Sequence, residues 1–185
     1  MIEMDVIRKY TPINEKNNRK KSFFSFKDNF FDFYYRYIAL SLYSPLRSNP
    51  DYFFEEFIKE DFFHSYLPEK FEEISREFIL KATFKGLIKP PLMDIGTYFF
   101  NDPKNKINRE FDVVTLDRNG YISYECKYSD RPIDLKVIKE EEAQVKNLNI
   151  NFYKLGFISK TGFDEEVDQS KYNCFSLSDF YKVGS

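Results

Sequence analysis

The chain has 185 residues, enough for one domain of ordinary size and an appendage. No run approaches the ~18 consecutive apolar residues of a membrane helix, no charged-then-apolar leader is evident, and the two cysteines, Cys126 and Cys174, form neither a disulfide framework nor metal-ligand spacing, so a soluble cytoplasmic protein with no membrane partner is expected. A net charge of −2 argues against a uniformly basic nucleic-acid binder, but Met1–Lys27 carries seven basic side chains against three acidic, which leaves the remainder at −6.

Val6–Ile13 and Ser22–Phe26 read as two strands joined by the basic stretch Asn14–Lys21. Asp28 stands where a helix N-cap belongs, just before the apolar run Phe30–Leu42. Pro45–Pro50 interrupts, and Tyr52–Tyr66 resumes as helix with Phe53 and Phe57 at helical spacing. His64 has no partner motif and receives no role. Pro68 suits the first turn of a further helix, in which Leu67, Phe71, Ile74 and Phe78 predict the buried stripe and Glu72 and Glu73 flank it. Ala82–Ile88 and Asp94–Phe100 read as extended, separated by Lys89-Pro90-Pro91.

Glu110–Leu116 and Tyr121–Tyr128 flank Asp117-Arg118-Asn119-Gly120 and predict a β-hairpin. Side chains alternate along a strand, so Glu125 and Lys127 share a face while Tyr124, Cys126 and Tyr128 take the other. With Arg118-Asn119 as the loop, Asp112 lies opposite Glu125; with Asn119-Gly120 it lies opposite Lys127. Either register of a regular hairpin puts all three on one face, with cross-strand neighbours ~5 Å apart. Two carboxylates there could share a divalent cation beside an ammonium, and half-burying them without one is costly. With nothing bound, the face would be solvated and Lys127 paired to a carboxylate.

Asp134 is placed to cap a helix over Leu135–Leu148, with Leu135, Ile138, Val145 and Leu148 inward and Glu140-Glu141-Glu142 as its exposed face. Phe152–Ser159 reads as a strand, Lys160-Thr161-Gly162 as the loop leaving it, and Cys174–Leu177 as a last strand, with Ser178 or Asp179 capping a terminal turn.

Asp112 followed across a hairpin by Glu125-Cys126-Lys127 resembles the PD-(D/E)XK signature of the restriction-endonuclease-like fold. The order F-E-E-I-S-R-E-F-I, I-G-T-Y-F-F, hairpin, G-F-I-S-K-T-G-F, together with K-D-N-F-F-D-F-Y-Y-R-Y upstream, resembles the domain of unknown function carried at the C-terminus of archaeal-type P-loop ATPases and also found in bacteria. The resemblance implies an α/β (α+β) fold, with a central mixed sheet flanked by helices. It divides the chain into the end of a winged helix (1–27), a helical linker (28–66) and a nuclease-like domain (67–185).

The resemblance further implies metal-dependent hydrolysis of DNA. Asp112 and Glu125 would hold Mg²⁺ or Mn²⁺, helped by the Cys126 carbonyl and a helix acid, Glu73 in preference to Glu72. Lys127 would orient the attacking water or neutralise developing charge, and Lys160 would meet a phosphate. The implied partners are DNA and the P-loop ATPase portion of a longer protein, and a homo-oligomer is compatible with this reading. A non-catalytic DNA-binding or regulatory module is the alternative. No Walker A sequence is present, so this chain alone is not expected to hydrolyse ATP.

Overall fold

The basic and apolar runs near the N-terminus form an antiparallel pair, β1 (Ile7–Tyr10) and β2 (Phe23–Phe26), in the computed structural model, which describes residues 6–16, 18–39, 48–102, 106–148 and 150–184. Tyr10 stacks on Phe23 at 5.5 Å. Asp28 caps α1 (Asn29–Phe33), its Oδ1 accepting from the backbone N–H groups of Phe30 (2.8 Å) and Phe31 (3.2 Å). The helix continues through a wider π-type turn to Ile38; Leu40–Leu42 and Pro45 lie outside the described residues.

Helix resumes at α2 (Pro50–Phe53), capped by Asn49, and passes through α3 (Lys59–Asp61) and two more π-type turns to Tyr66. Tyr37, Phe53, Ile58 and Tyr66 form its core, whereas Phe57 is 56% exposed. Arg36 (2.8 Å) and the Tyr37 hydroxyl (2.6 Å) both donate to Asp61 and hold its carboxyl down to about 2. The chain divides after this helical region, into units Met1–Leu67 and Pro68–Ser185.

The second unit is built on a five-stranded mixed sheet. Its first helix, α4 (Leu67–Phe84), is longer than the sequence predicts. Ala82–Phe84, expected as the start of a strand, continues the helix, because the chain stops only at Gly86. There the Gly86 N–H donates to the Thr83 carbonyl (2.9 Å) and the Leu87 N–H to the Ala82 carbonyl (2.9 Å), a Schellman ending that requires the positive φ of +73° at Gly86. The buried stripe is also turned from the predicted one. Phe71, Ser75, Phe78, Ile79 and Ala82 face inward and Ile74 is 43% exposed. Ser75 tolerates burial because its hydroxyl donates to the Phe71 carbonyl at 2.6 Å.

Strands β3 (Asp94–Asp102), β4 (Ile107–Asp117) and β5 (Gly120–Lys127) form an antiparallel meander. Asp117 pairs with Gly120, so Arg118-Asn119 is the hairpin loop. Asp117 accepts from the Asn119 N–H at 2.7 Å and from the Tyr153 hydroxyl, which satisfies a carboxylate only 3% exposed.

Helix α5 (Leu135–Asn147) is capped by Asp134 through the Val137 N–H at 2.9 Å. It leads to β6 (Phe152–Ser159) and β7 (Asn173–Ser176), which extend the sheet in parallel, giving the order β3-β4-β5-β6-β7. The closing helix α6 (Leu177–Gly184) begins after Ser176, whose N–H donates to Asp179 Oδ2 at 2.8 Å. Thus Ser176 occupies the capping position and Asp179 reaches back to it.

Apolar clusters of the described residues lie on both faces of the sheet. Phe71, Phe78, Ile79 and Ala82 of α4 pack with Val113, Ile122, Tyr124 and Ile158, together with Val183 of α6. On the other side Ile138 of α5 packs with Phe157, Ile133 and Val167. Gly156 lets Tyr124 lie against β6, since a Cβ there would fall 2.3 Å from the tyrosine ring.

Candidate functional site

The site opens where β4 and β5 separate. Their pairing ends at Val113 and Tyr124; beyond it Ile107–Phe111 pairs only with β3, and Glu125–Lys127 only with β6. Extending the hairpin register by one position sets Asp112 across from Glu125, the first of the two alignments the sequence allows.

Asp112 sits in an irregularity. Between the pairs Gly96–Val114 and Tyr98–Phe111, the residues Asp112 and Val113 of β4 oppose Thr97 alone. Such a bulge bends the strand and re-aims its side chains. Strict alternation therefore does not run through Asp112, and the regular-hairpin reasoning that put it on one face with Glu125 and Lys127 does not apply. What brings the two carboxylates to one place is the gap between the strands.

That gap is a cavity of about 140 Å³, lined among others by Glu72, Glu110, Asp112, Glu125 and Cys126. Glu72 comes from α4, one residue past the buried Phe71, so the packing of Phe71 beneath the sheet carries Glu72 to the opening. The preferred helix acid, Glu73, does not line the cavity; Lys70 lies 3.3 Å from its carboxylate. Arg76, one turn beyond Glu72, donates to the Asp112 carbonyl at 2.7 Å and fastens α4 to the bulge.

Burial pushes the Glu72 carboxyl up to about 8, with the charges of Asp112, Glu125 and Glu69 adding to the rise and Arg76 opposing it. Asp112 is raised by the same loss of water, opposed by Arg76 and reinforced by Glu125 and Glu69. Its side chain still reaches solvent, so it is a wetted group at the mouth of the cavity rather than a sealed one. Glu110 is raised as well, by burial and by Asp112. Cys126 lines the same wall, and burial pushes its thiol up.

Lys127 is not part of the cavity wall. Its ammonium pairs with Glu125 at 2.6 Å and reaches the site through that carboxylate. Lys160 is held elsewhere, by Asp130 at 2.5 Å and over the Tyr128 ring at 4.6 Å, although its backbone N–H donates to the Lys127 carbonyl.

One acid escaped the sequence reading. Glu141, expected on the exposed face of α5, is 7% exposed, and its carboxyl is pushed up to about 7, first by burial and then by the charge of Glu125, with Arg109 and Lys127 opposing. The signal lay in its spacing, since Ile138, Glu141 and Val145 share one helical face. The Glu140-Glu141-Glu142 run masked it.

The arrangement is thus a set of hard oxygen donors whose mutual repulsion a cation would relieve. As it stands, no group of three or more His, Cys, Asp or Glu among the described residues is drawn together closely enough to hold a metal ion.

Comparison with known proteins places these residues in a family. Residues 34–148 match DUF234, described as archaea bacterial proteins of unknown function. The chain belongs to this family. The matched range takes in Glu72, Asp112, Glu125, Lys127 and Glu141. An uncharacterized protein of Methanocaldococcus jannaschii, MJECL04, is 30% identical over 132 residues, which cover 70% of this chain and 28% of that protein. The chain therefore spans well under a third of that relative's length. A crystal structure of a protein of unknown function, AF1548, is similar with a TM-score of 0.40 and 18% identity over 60% of this chain and 59% of that one. No helix among the described residues is long and apolar enough to cross a membrane.

Proposed function

We propose that this DUF234 chain is a PD-(D/E)XK-type, divalent-metal-dependent nuclease domain acting on DNA phosphodiester bonds. The observation that carries the reading is the convergence of Glu72, Asp112 and Glu125, from α4, β4 and β5, on one cavity, with Lys127 paired to the last of them. Carboxylate oxygens are the donors that Mg²⁺ and Mn²⁺ prefer, and the raised carboxyls of Glu72 and Asp112, lifted first by burial and then by neighbouring acids, are groups whose charged form a cation would favour.

Asp112 and Glu125 would hold the ion, with Glu72 in the place first given to Glu73 and the Cys126 carbonyl beside them. The bound ion would supply charge against the phosphate and lower the pKa of a water. Lys127 would orient that water or neutralise charge developing on the phosphate oxygens. Glu72, holding its proton near neutral pH, would have to release it before serving as a donor. Lys160, tied to Asp130, is a weaker phosphate contact than its loop position implies.

On the resemblance of its motifs, the chain is taken in the same proposal as the C-terminal domain of a P-loop ATPase, with residues 1–27 ending a winged helix, 28–66 as linker and 67–185 as the nuclease-like domain; its match to only 28% of one relative is compatible with a part of a longer protein. The pairing of Lys127 with Glu125, outside the cavity wall, favours a second reading, a non-catalytic binding or regulatory module of that ATPase.

Plasmid nicking in Mg²⁺ separates the two. Nicking by the wild type that is lost in Lys127→Ala, with the circular dichroism spectrum unchanged, is expected for the nuclease; an equal rate in both proteins removes the mechanism, and no nicking by either supports the module.

A further inference from the structure

The Glu141 carboxylate has one oxygen committed and one not. Oε2 accepts from the Gln144 side-chain N–H at 3.0 Å, and Oε1 is buried without a hydrogen-bond partner among the described residues. An unmatched carboxylate oxygen in a residue 7% exposed is expensive, and packing alone gives no reason for it. Asp117, the other deeply buried acid of this unit, has both oxygens engaged.

The sheet shows what faces it. Glu125 pairs in register with Phe157, and Lys127 with Ser159, across the parallel strands β5 and β6, so their side chains share the Phe157 face. Phe157 packs against Ile138, one helical turn before Glu141. Glu141 therefore overlooks the Glu125–Lys127 ion pair. The charged groups around it are Glu125, Lys127 and Arg109, of which Arg109 also lies over the Phe111 ring at 5.7 Å.

The ion pair poses a problem for the function proposed above, on which this inference rests. Glu125 holds Lys127 at 2.6 Å. A divalent cation on the same carboxylate would repel the ammonium, and Lys127 would need another acceptor to remain in the site. The neighbouring Asp130 is already held by Lys160. We propose that Glu141 is a positioning residue whose free carboxylate oxygen takes over the Lys127 ammonium when Glu125 turns to a divalent cation.

A double-mutant cycle on Mn²⁺ affinity, measured by titration calorimetry on the full chain, tests this. Glu141→Gln is expected to weaken Mn²⁺ binding about tenfold when Lys127 is present, and by less than about twofold in the Lys127→Ala background, where no ammonium needs rehousing. Glu141→Met, which removes the buried carboxylate at similar volume, enters the same cycle if the glutamine variant does not fold. An equal loss in both backgrounds would make Glu141 a metal ligand, a partner of Arg109 or a purely structural residue, and overturns the inference; so does unchanged affinity in Glu141→Gln. Wild-type protein that binds no Mn²⁺ overturns the nuclease reading together with it, so the two failures are distinct.

Discussion

Replacing Glu72 by glutamine should stabilise the protein, and only at the alkaline end. The carboxyl ordinarily titrates near 4.5 and here is pushed up to about 8. Between those values the native state keeps a proton that the unfolded chain has released, so stability falls as pH rises through this window and levels off above it. At roughly 1.4 kcal/mol per pH unit, a fully desolvated group so displaced would forfeit about 5 kcal/mol; the cavity is open to water, which brings the expectation down to about 2 kcal/mol. A glutamine side chain in its place would carry no charge to desolvate or to repel Asp112 and Glu125. Urea unfolding at intervals from pH 4.5 to 9 should therefore show wild type and Glu72→Gln equal at the acid end, then diverging until the variant leads by about 2 kcal/mol near pH 9. A difference independent of pH, or a variant less stable at pH 9, would refute the view that Glu72 is a strained member of an acidic cluster.

Mn²⁺ binding near neutral pH should release protons, Glu72 contributing close to one per ion, measurable by calorimetry in buffers of different ionisation enthalpy; the release should fall by about that one proton in Glu72→Gln. Gly156→Ala should cost about 1–3 kcal/mol in urea unfolding, because its Cβ would meet the Tyr124 ring at 2.3 Å and the Asn173 carbonyl at 3.0 Å, and Tyr124 is buried. Asp117→Ala should cost about 2 kcal/mol by leaving the Asn119 N–H and the Tyr153 hydroxyl without their acceptor, and hydrogen exchange at the Arg118-Asn119 loop should quicken.

Local rules made much of this fold readable. Asp28 and Asp134 announced their helices, Gly120 the hairpin and the Phe152–Ser159 run its strand, since each depends on a few adjacent residues. The misreadings came from tertiary context. Ala82–Ile88 holds residues suited to either state, and the positive φ available to Gly86 decides where the helix ends. Ile74 loses its inward place to Ser75, a polar residue that its own helix can satisfy.

The site was legible in its residue types more than in its geometry. Asp112, Glu125 and Lys127 are singled out by the resemblance and the hairpin pattern together, but the extra residue of β4 opposite Thr97 leaves no trace in the sequence, so strict alternation could not place Asp112. Glu72 and Glu73 stand equally near the apolar stripe, and only the docking of Phe71 separates them. Glu141 was hidden by its acidic neighbours, as three consecutive glutamates look like a solvated surface until the helix is set on the sheet.

Anomalous scattering from crystals grown with Mn²⁺ would show where the ion binds. One ion contacting both Asp112 and Glu125 within the cavity between β4 and β5 is the predicted result. Saturating Mn²⁺ that leaves this cavity without an anomalous peak, or that binds only at other carboxylates, would rule out a metal site at Asp112 and Glu125.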